Sequence, residues 1–278
     1  KEEINRVAET TDYNGRTMLN GDSQRTSYVA KADETLASSI RILSQSTTVL
    51  PGSYELEVTS DPEQATVNLT LAPGTFQLNG EKITITQEEI NDLSAYEKVQ
   101  TVCDRCNITL TQNGANLTLT TKEYGVDAYI DAYVNTTRYN DTGKDVEATI
   151  TRNPGGFTDT AVMSVDGNII VVTDTNGFEL RIKTETGAQT EGTVTAEVKD
   201  ASTLQIQVGS EADNMLELIF EKVSTETLDI DYVNVRTYEG AQKAIEDIQN
   251  AIDKISMIRS KLGAYENRLG YAQDSLSI

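Results

Sequence analysis

Cys103 and Cys106, three residues apart, form the one Cys-x-x-Cys pair in a chain of 278 residues. Such a pair does redox chemistry when it opens a helix that follows a strand, and holds zinc when two further ligands complete the set. Neither condition is met. The pair sits near the end of a predicted helix, Gln87 to Cys106, just ahead of a strand at Ile108 to Leu110, and the chain has no histidine. Packed thiols or a local disulfide fit this setting better than catalysis. The missing histidine also removes the usual general base, the usual pH switch and any His-Glu-x-x-His zinc-protease signature. A carboxylate pair could still hydrolyse glycosides, but no Asp or Glu pair is singled out by spacing. Asp229 and Asp231 lack the Gly and terminal Glu of a calcium loop and read as a solvated connector. We therefore expect no catalytic residue, no metal, no cofactor and no enzyme activity.

Smaller signals are compositional. Asn68-Leu69-Thr70, Asn107-Ile108-Thr109, Asn116-Leu117-Thr118, Asn135-Thr136-Thr137 and Asn140-Asp141-Thr142 match the N-glycosylation pattern, yet such triplets arise by chance in a Thr-rich strand protein. The formal net charge of −21 repels phosphate backbones and anionic bilayers, which argues against nucleic-acid and membrane partners. No stretch approaches the apolar length of a transmembrane helix, and the opening Lys1 to Glu9 has no signal-like hydrophobic run.

Three regions must position whatever the chain does. Helical residues Glu2 to Glu9 give way to turns at Asn14-Gly15 and Asn20-Gly21, pairs that supply positive φ at little cost. From Ser27 to Ser202, alternation of β-branched and polar residues predicts half-buried antiparallel strands at 54–58, 82–86, 116–120, 179–182 and 193–198. Short helices are expected at Glu34 to Leu43 and Gln87 to Gln100. The last region holds strands at Leu204 to Gly209 and Met215 to Phe220, then one long helix from about Glu239. That helix carries an apolar ladder of Ile245, Ile248, Ile252 and Ile255, then Leu262, Tyr265, Leu269, Ala272 and Leu276. A seam of that length needs partner helices, and the chain offers only the short stretch at its start.

Several of these residues form recognisable runs. Glu3 to Gly15 with Met18-Leu19-Asn20-Gly21, Leu204-Gln205-Ile206-Gln207-Val208-Gly209, and Ile255 to Ala264 with Glu266-Asn267-Arg268-Leu269 occur in the order in which similar segments occur in bacterial flagellins. Phe76 to Gly80 and Gly143 to Ile150 resemble repeats in the surface domains of long flagellins and of filament caps. The resemblance implies a filament subunit trimmed at both ends, with about 180 residues inserted after Asn20-Gly21 at a loop tip, where insertions are tolerated.

The expected fold is α+β and elongated. A helical-bundle domain is formed by both chain ends, 1–26 and 203–278, and carries an inserted β-rich outer region of one or two domains, 27–131 and 132–202. By resemblance the protein is an extracellular structural subunit of the bacterial flagellar filament, self-assembling for motility, whose partners are other flagellin subunits. A hook-filament junction or filament-cap protein is the alternative. The family's innate-immunity receptor is a further possible partner, with matching positions at Ile248, Ile252 and Arg268. The two isoleucines belong to the ladder, so packing is their expected role, while Arg268 lies off it and suits an interface. The first-helix part of that receptor surface is missing, so weak or lost receptor binding is expected, as is a monomeric state for the chain as it stands.

Overall fold

The computed structural model describes residues 1–30, 40–114, 116–152, 156–185, 192–200, 203–209 and 214–276. Helix α1 (Glu2–Thr10) ends in a hairpin of β1 (Asp12–Tyr13) and β2 (Arg16–Thr17). Asn14 and Gly15 between them both take positive φ, as a two-residue hairpin turn requires.

The chain then builds two nested bodies. The first is a sandwich of two antiparallel sheets. One runs in the order β13 (Glu147–Ile150), β5 (Gly52–Ser60), β17 (Gly192–Lys199), β3 (Thr26–Ala30). The other runs β14 (Val162–Asp166), β15 (Ile169–Asp174), β16 (Phe178–Thr184), β4 (Ile40–Gln45). Alternate residues Leu56, Val58, Ile170, Val172, Leu180, Ile182, Val194 and Ala196 point inward and are fully or almost fully buried. Tyr54, Phe157 and Phe178 close one end as a tilted aromatic trio with centroids 5.2 to 6.3 Å apart.

Between β5 and β13 the chain leaves this sandwich and forms the second body. A three-stranded sheet, β6 (Thr66–Thr70), β10 (Asn116–Thr121), β9 (Ile108–Asn113), and a four-stranded sheet, β12 (Thr137–Thr142), β11 (Tyr129–Val134), β7 (Gly74–Leu78), β8 (Glu81–Ile85), share a core with helices α2 (Gln87–Asn91) and α3 (Ser94–Arg105). Thr86 and Glu89 form a capping box at the start of α2. The predicted single helix from Gln87 breaks at Asp92 and Leu93, where Leu93 takes φ of 69°. The neck between the bodies is held by paired backbone hydrogen bonds of Glu63 with Lys144, 2.9 and 3.0 Å. Close passage there requires glycine: a Cβ on Gly125, already at φ +97°, would lie 2.6 Å from the Cα of Gly167.

Two of the Asn-x-Thr triplets have a geometric setting. In β6 and β10, Asn68 with Thr70 and Asn116 with Thr118 lie on the solvent face, while Leu69 and Leu117 between them are buried in the core. The Thr118 hydroxyl donates to Asn68 Oδ1 across the sheet at 2.6 Å, and that of Thr70 to Asn116 Oδ1 at 2.9 Å. A period of two with polar cross-strand pairs produces the pattern without any glycan.

The chain ends with the hairpin β18 (Leu204–Gln207) and β19 (Met215–Leu218), an extended connector over 219–237, and α4 (Tyr238–Leu276). The expected helical-bundle domain does not form. Strand makes up 42% of the structure and helix 27%, so sheets dominate and the bundle gives way to a β-rich build. The chain ends do meet, in a small core of Ala8, Val223, Leu228, Ile230 and Ala251, but its middle layer is the connector. Val223 N–H donates to Leu19 O and Thr225 N–H to Asn5 Oδ1, so extended chain occupies the place a bundle helix would need. Ser224 and Thr227 hold the connector's turn by bonding each other's backbone and side chains, which competes with helix there.

Two smaller expectations are also revised. The division near Ala132 falls inside β11, where Ala132 is fully buried in one core with residues on both sides of it, so the second body is nested within the first. Of the helix expected at Glu34 to Leu43, residues 40–43 are strand β4, with Ile40 and Leu43 buried, and the remainder lies outside the described residues. Because Leu119 and Cys103 belong to the same core, Leu119→Ala should cost about 2–5 kcal/mol in urea unfolding and speed alkylation of Cys103 by a soluble maleimide; unchanged reactivity at matched stability loss would separate the two residues' cores.

Candidate assembly surface

The Cys103 and Cys106 thiols are free, with Cys103 fully buried and Cys106 half-buried. Burial first, and then Cys106 and Asp104, push the Cys103 thiol up to about 12. Burial, with Glu81 adding, raises Cys106 to about 11. Thiols held that far above neutrality are poor nucleophiles, so the pair packs. Among the described residues no group of three or more His, Cys, Asp or Glu is arranged to hold a metal ion, and no helix is long and apolar enough to cross a membrane.

Exposed large apolar side chains recur along α4. Thr237 caps this helix, its hydroxyl accepting from the Gly240 N–H at 3.1 Å. Glycine is needed at 240, because a Cβ would sit 2.6 Å from Asn234 O. From there α4 runs for about 58 Å at 1.5 Å per residue. Ala244, Asp247, Ala251, Lys254, Ile258, Lys261 and Tyr265 are buried or half-buried at a 3-4 spacing and mark its docked flank. The ladder that the sequence displays over the first turns is one residue out of phase with it, about 100° further round the helix. Ile245, Ile248, Ile252 and Ile255 are accordingly 73, 43, 52 and 39% exposed. Ile248 and Ile252, for which packing is expected, find no cover within this chain. Only further along do the ladder residues Leu262, Tyr265, Leu269 and Ala272 become half-buried.

What docks the helix is small and ionic. Ala244 and Ala251 allow close approach, and three lysines on the docked side reach down to carboxylates. Lys254 Nζ lies 2.6 Å from Asp229 Oδ2, Lys261 Nζ 2.5 Å from Glu221 Oε1, and Lys243 Nζ 3.7 and 3.8 Å from Glu123 and Asp127. The Phe220 and Tyr265 rings pack at 6.3 Å. Asp229 is shared with Arg181 of β16, whose guanidinium is almost fully buried 2.5 Å away. Glu226 takes Lys183 at 2.7 Å together with Arg41. Arg41 and Lys183 draw the Glu226 carboxyl below its ordinary range against the cost of burial.

Around Lys243 the balance is acidic. Two adjoining cavities of about 170 and 120 Å³ meet there, both bordered by Glu123, Lys243 and Asp247. Burial raises the carboxyls of Glu123, Asp166 and Asp247, with Lys243 pulling each of them back. Burial opposes the charge of Lys243, but Glu123, Asp127, Asp247 and Asp166 outweigh it and keep its pKa high.

Arg268 is exposed and has no ion-pair partner among the described residues. It lies about 24 Å along the rod from Ile252 and about 160° around it, so the three candidate positions share a helix but not a patch. Periodicity alone could not have found the docked face, since alanine and lysine carry no apolar signal. Arg181→Met should lower stability by about 2–3 kcal/mol, less than for a fully buried pair because Asp229 keeps contact with water; urea unfolding measures it, and an unchanged midpoint would deny the clamp.

No family model matches the chain, and no curated protein matches it. Two crystal structures from Escherichia coli are similar to it. One holds the D2-D3 domains of the flagellar cap protein FliD, at 10% identity and a TM-score of 0.36, covering 64% of this chain and 98% of that one. The other holds the D1-D2-D3 domains of the same protein, at 10% identity and a TM-score of 0.38, covering 86% of this chain and 66% of that one.

Proposed function

We propose that this chain is a structural subunit of a bacterial flagellum, acting outside the cell by assembly and without catalysis. The observation that carries the reading is the uncovered row Ile245, Ile248, Ile252 and Ile255 on a rod whose neighbouring flank, about 100° round the helix, is already docked. Contiguous apolar surface rimmed by polar residues marks a contact with another macromolecule. Burying one such side chain fully is worth about 1.5–3 kcal/mol, so the row is a strong asset once covered and a liability while bare. The similarity of residues 3–21, 204–209 and 255–269 to flagellin supplies the kind of assembly.

Two readings within that class differ in what supports them. The runs Ile255 to Ala264 and Glu266 to Leu269 speak for a filament subunit. Against that, the flagellin-like helical bundle is replaced by β-rich bodies, which speaks for a filament-cap protein; the segments 76–80 and 143–150 resemble repeats of both and do not separate them. A receptor contact using Arg268 together with Ile248 and Ile252 would have to wrap the helix, and nothing in the geometry favours it.

Immunogold microscopy with antibodies against the two β bodies, on flagella from the bacterium that makes the protein, decides among these. Labelling along the filament is the outcome for a subunit, at the distal tip for a cap, and at the hook-filament boundary for a junction protein. Flagella that stay unlabelled while the protein is expressed overturn the proposal. Ile248→Asp with Ile252→Asp should abolish incorporation while changing stability by no more than about 0.5 kcal/mol, as both positions are exposed.

A further inference from the structure

We propose that Lys243 is the latch of a pH-sensitive joint, holding the first turns of α4 against an acidic cleft between the two inserted bodies. The cleft is built from several elements. The loop between β10 and β11 contributes Glu123, Tyr124 and Asp127, and β11 contributes Tyr129, whose hydroxyl donates to Glu239 Oε2 at 2.5 Å. The turn between β14 and β15 contributes Asp166, with Asp145 behind it, hydrogen-bonded to the Gly167 N–H. The connector brings Glu226, Asp229, Asp231 and Tyr232, and β16 brings Lys183. From the end of α3, Cys106 lines the cleft as a neutral thiol, while Arg236 of the connector donates to the Asp104 carbonyl outside it. Helix α4 itself faces the cleft with Glu239, Lys243 and Asp247.

Among the described residues lining the two cavities, Lys243 and Lys183 are the cations. Lys183 is engaged by Glu226 at 2.7 Å, and Asp229 is engaged by Arg181 and Lys254. Lys243 is thus left as the charge that neutralises Glu123, Asp127, Asp166 and Asp247. No large apolar side chain of α4 seals this end, since Ala244 and Ala251 are its buried residues. Like charges gathered in a partly buried space repel more strongly than in bulk water. Without Lys243 the same groups would push the helix off.

The direction with pH follows from the shifts. Glu123, Asp166 and Asp247 have carboxyls raised in the folded joint, so their ionised forms oppose docking at neutral pH. That opposition fades as pH falls toward the raised values. Lys243 has its pKa raised, so its contribution is fully present below its unfolded value, across the whole neutral and mildly acidic range. The joint therefore tightens on mild acidification, and does so most when the lysine is missing. Opening it would free the end of the rod that bears the isoleucine row, and this holds whatever assembly the rod enters.

Hydrogen exchange over 238–250 in the full chain, corrected for intrinsic rates, tests the latch at pH 7.5 and 5.0. Lys243→Met should exchange at least 10-fold faster than the parent at pH 7.5 and within about 3-fold of it at pH 5.0. Adding Glu123→Gln and Asp247→Asn to that variant should restore protection at pH 7.5, and the same two changes in the parent should slow its exchange there. Equal protection in Lys243→Met and parent at pH 7.5 overturns the proposal. So does a difference as large at pH 5.0 as at 7.5, which would assign the lysine's role to its aliphatic stem, and so does faster exchange in the Glu123→Gln/Asp247→Asn protein.

Discussion

The connector over 219–237 is the constraint on which the arrangement of the other elements depends. Apart from the turn over 224–230, which bonds its own backbone, it is neither helix nor strand, so the rest of its backbone and its carboxylates need partners outside it, and they find them on every side. Leu19, Ser23 and Asn5 bond its backbone from the chain start. Arg181, Arg41 and Lys183 of the sandwich take Asp229 and Glu226, and Lys254 and Lys261 of α4 take Asp229 and Glu221. One strip of chain thereby ties the start, the sandwich and the terminal helix to each other. Arg25 does a similar task where the chain enters and leaves the sandwich, bonding Asp200 and the carbonyls of Thr47 and Val49 from an almost fully buried site.

Docking by small and charged residues leaves the apolar flank of α4 free. A helix whose isoleucines faced the connector would bury more hydrocarbon, but it could not place Lys243, Lys254 and Lys261 over Glu123, Asp229 and Glu221. In a chain of net charge −21 cations are scarce, and these three are positioned against acidic groups. The helix is oriented by its lysines, and the isoleucine row follows as the surface left uncovered.

Much of the β architecture was legible because period two and Asn-Gly turns are local signals. The expected strands at 54–58, 116–120, 179–182 and 193–198 lie on strands, 82–86 does so except for Thr86, which caps α2, and those expected at Leu204–Gly209 and Met215–Phe220 end two residues early, at Gln207 and Leu218. From their place at a helix end before a strand the two cysteines read as packed thiols or a local disulfide, and they are free. Illegible were the nesting of one body in the other, since strand β11 pairs with β7 more than fifty residues earlier, and the strand at Ile40–Gln45, where a helical-looking composition is overridden by pairing with β16.

By itself the sequence determined that a long helix ends the described chain and that it carries an isoleucine row. These follow from spacing along one element, which no neighbour can alter. Only the tertiary structure decided which flank of that helix docks, because the docking is done by alanines and lysines whose partners lie from about 25 to 120 residues away. It also decided that the chain ends meet through extended chain and form no bundle, because the choice turns on hydrogen bonds made between segments distant in sequence.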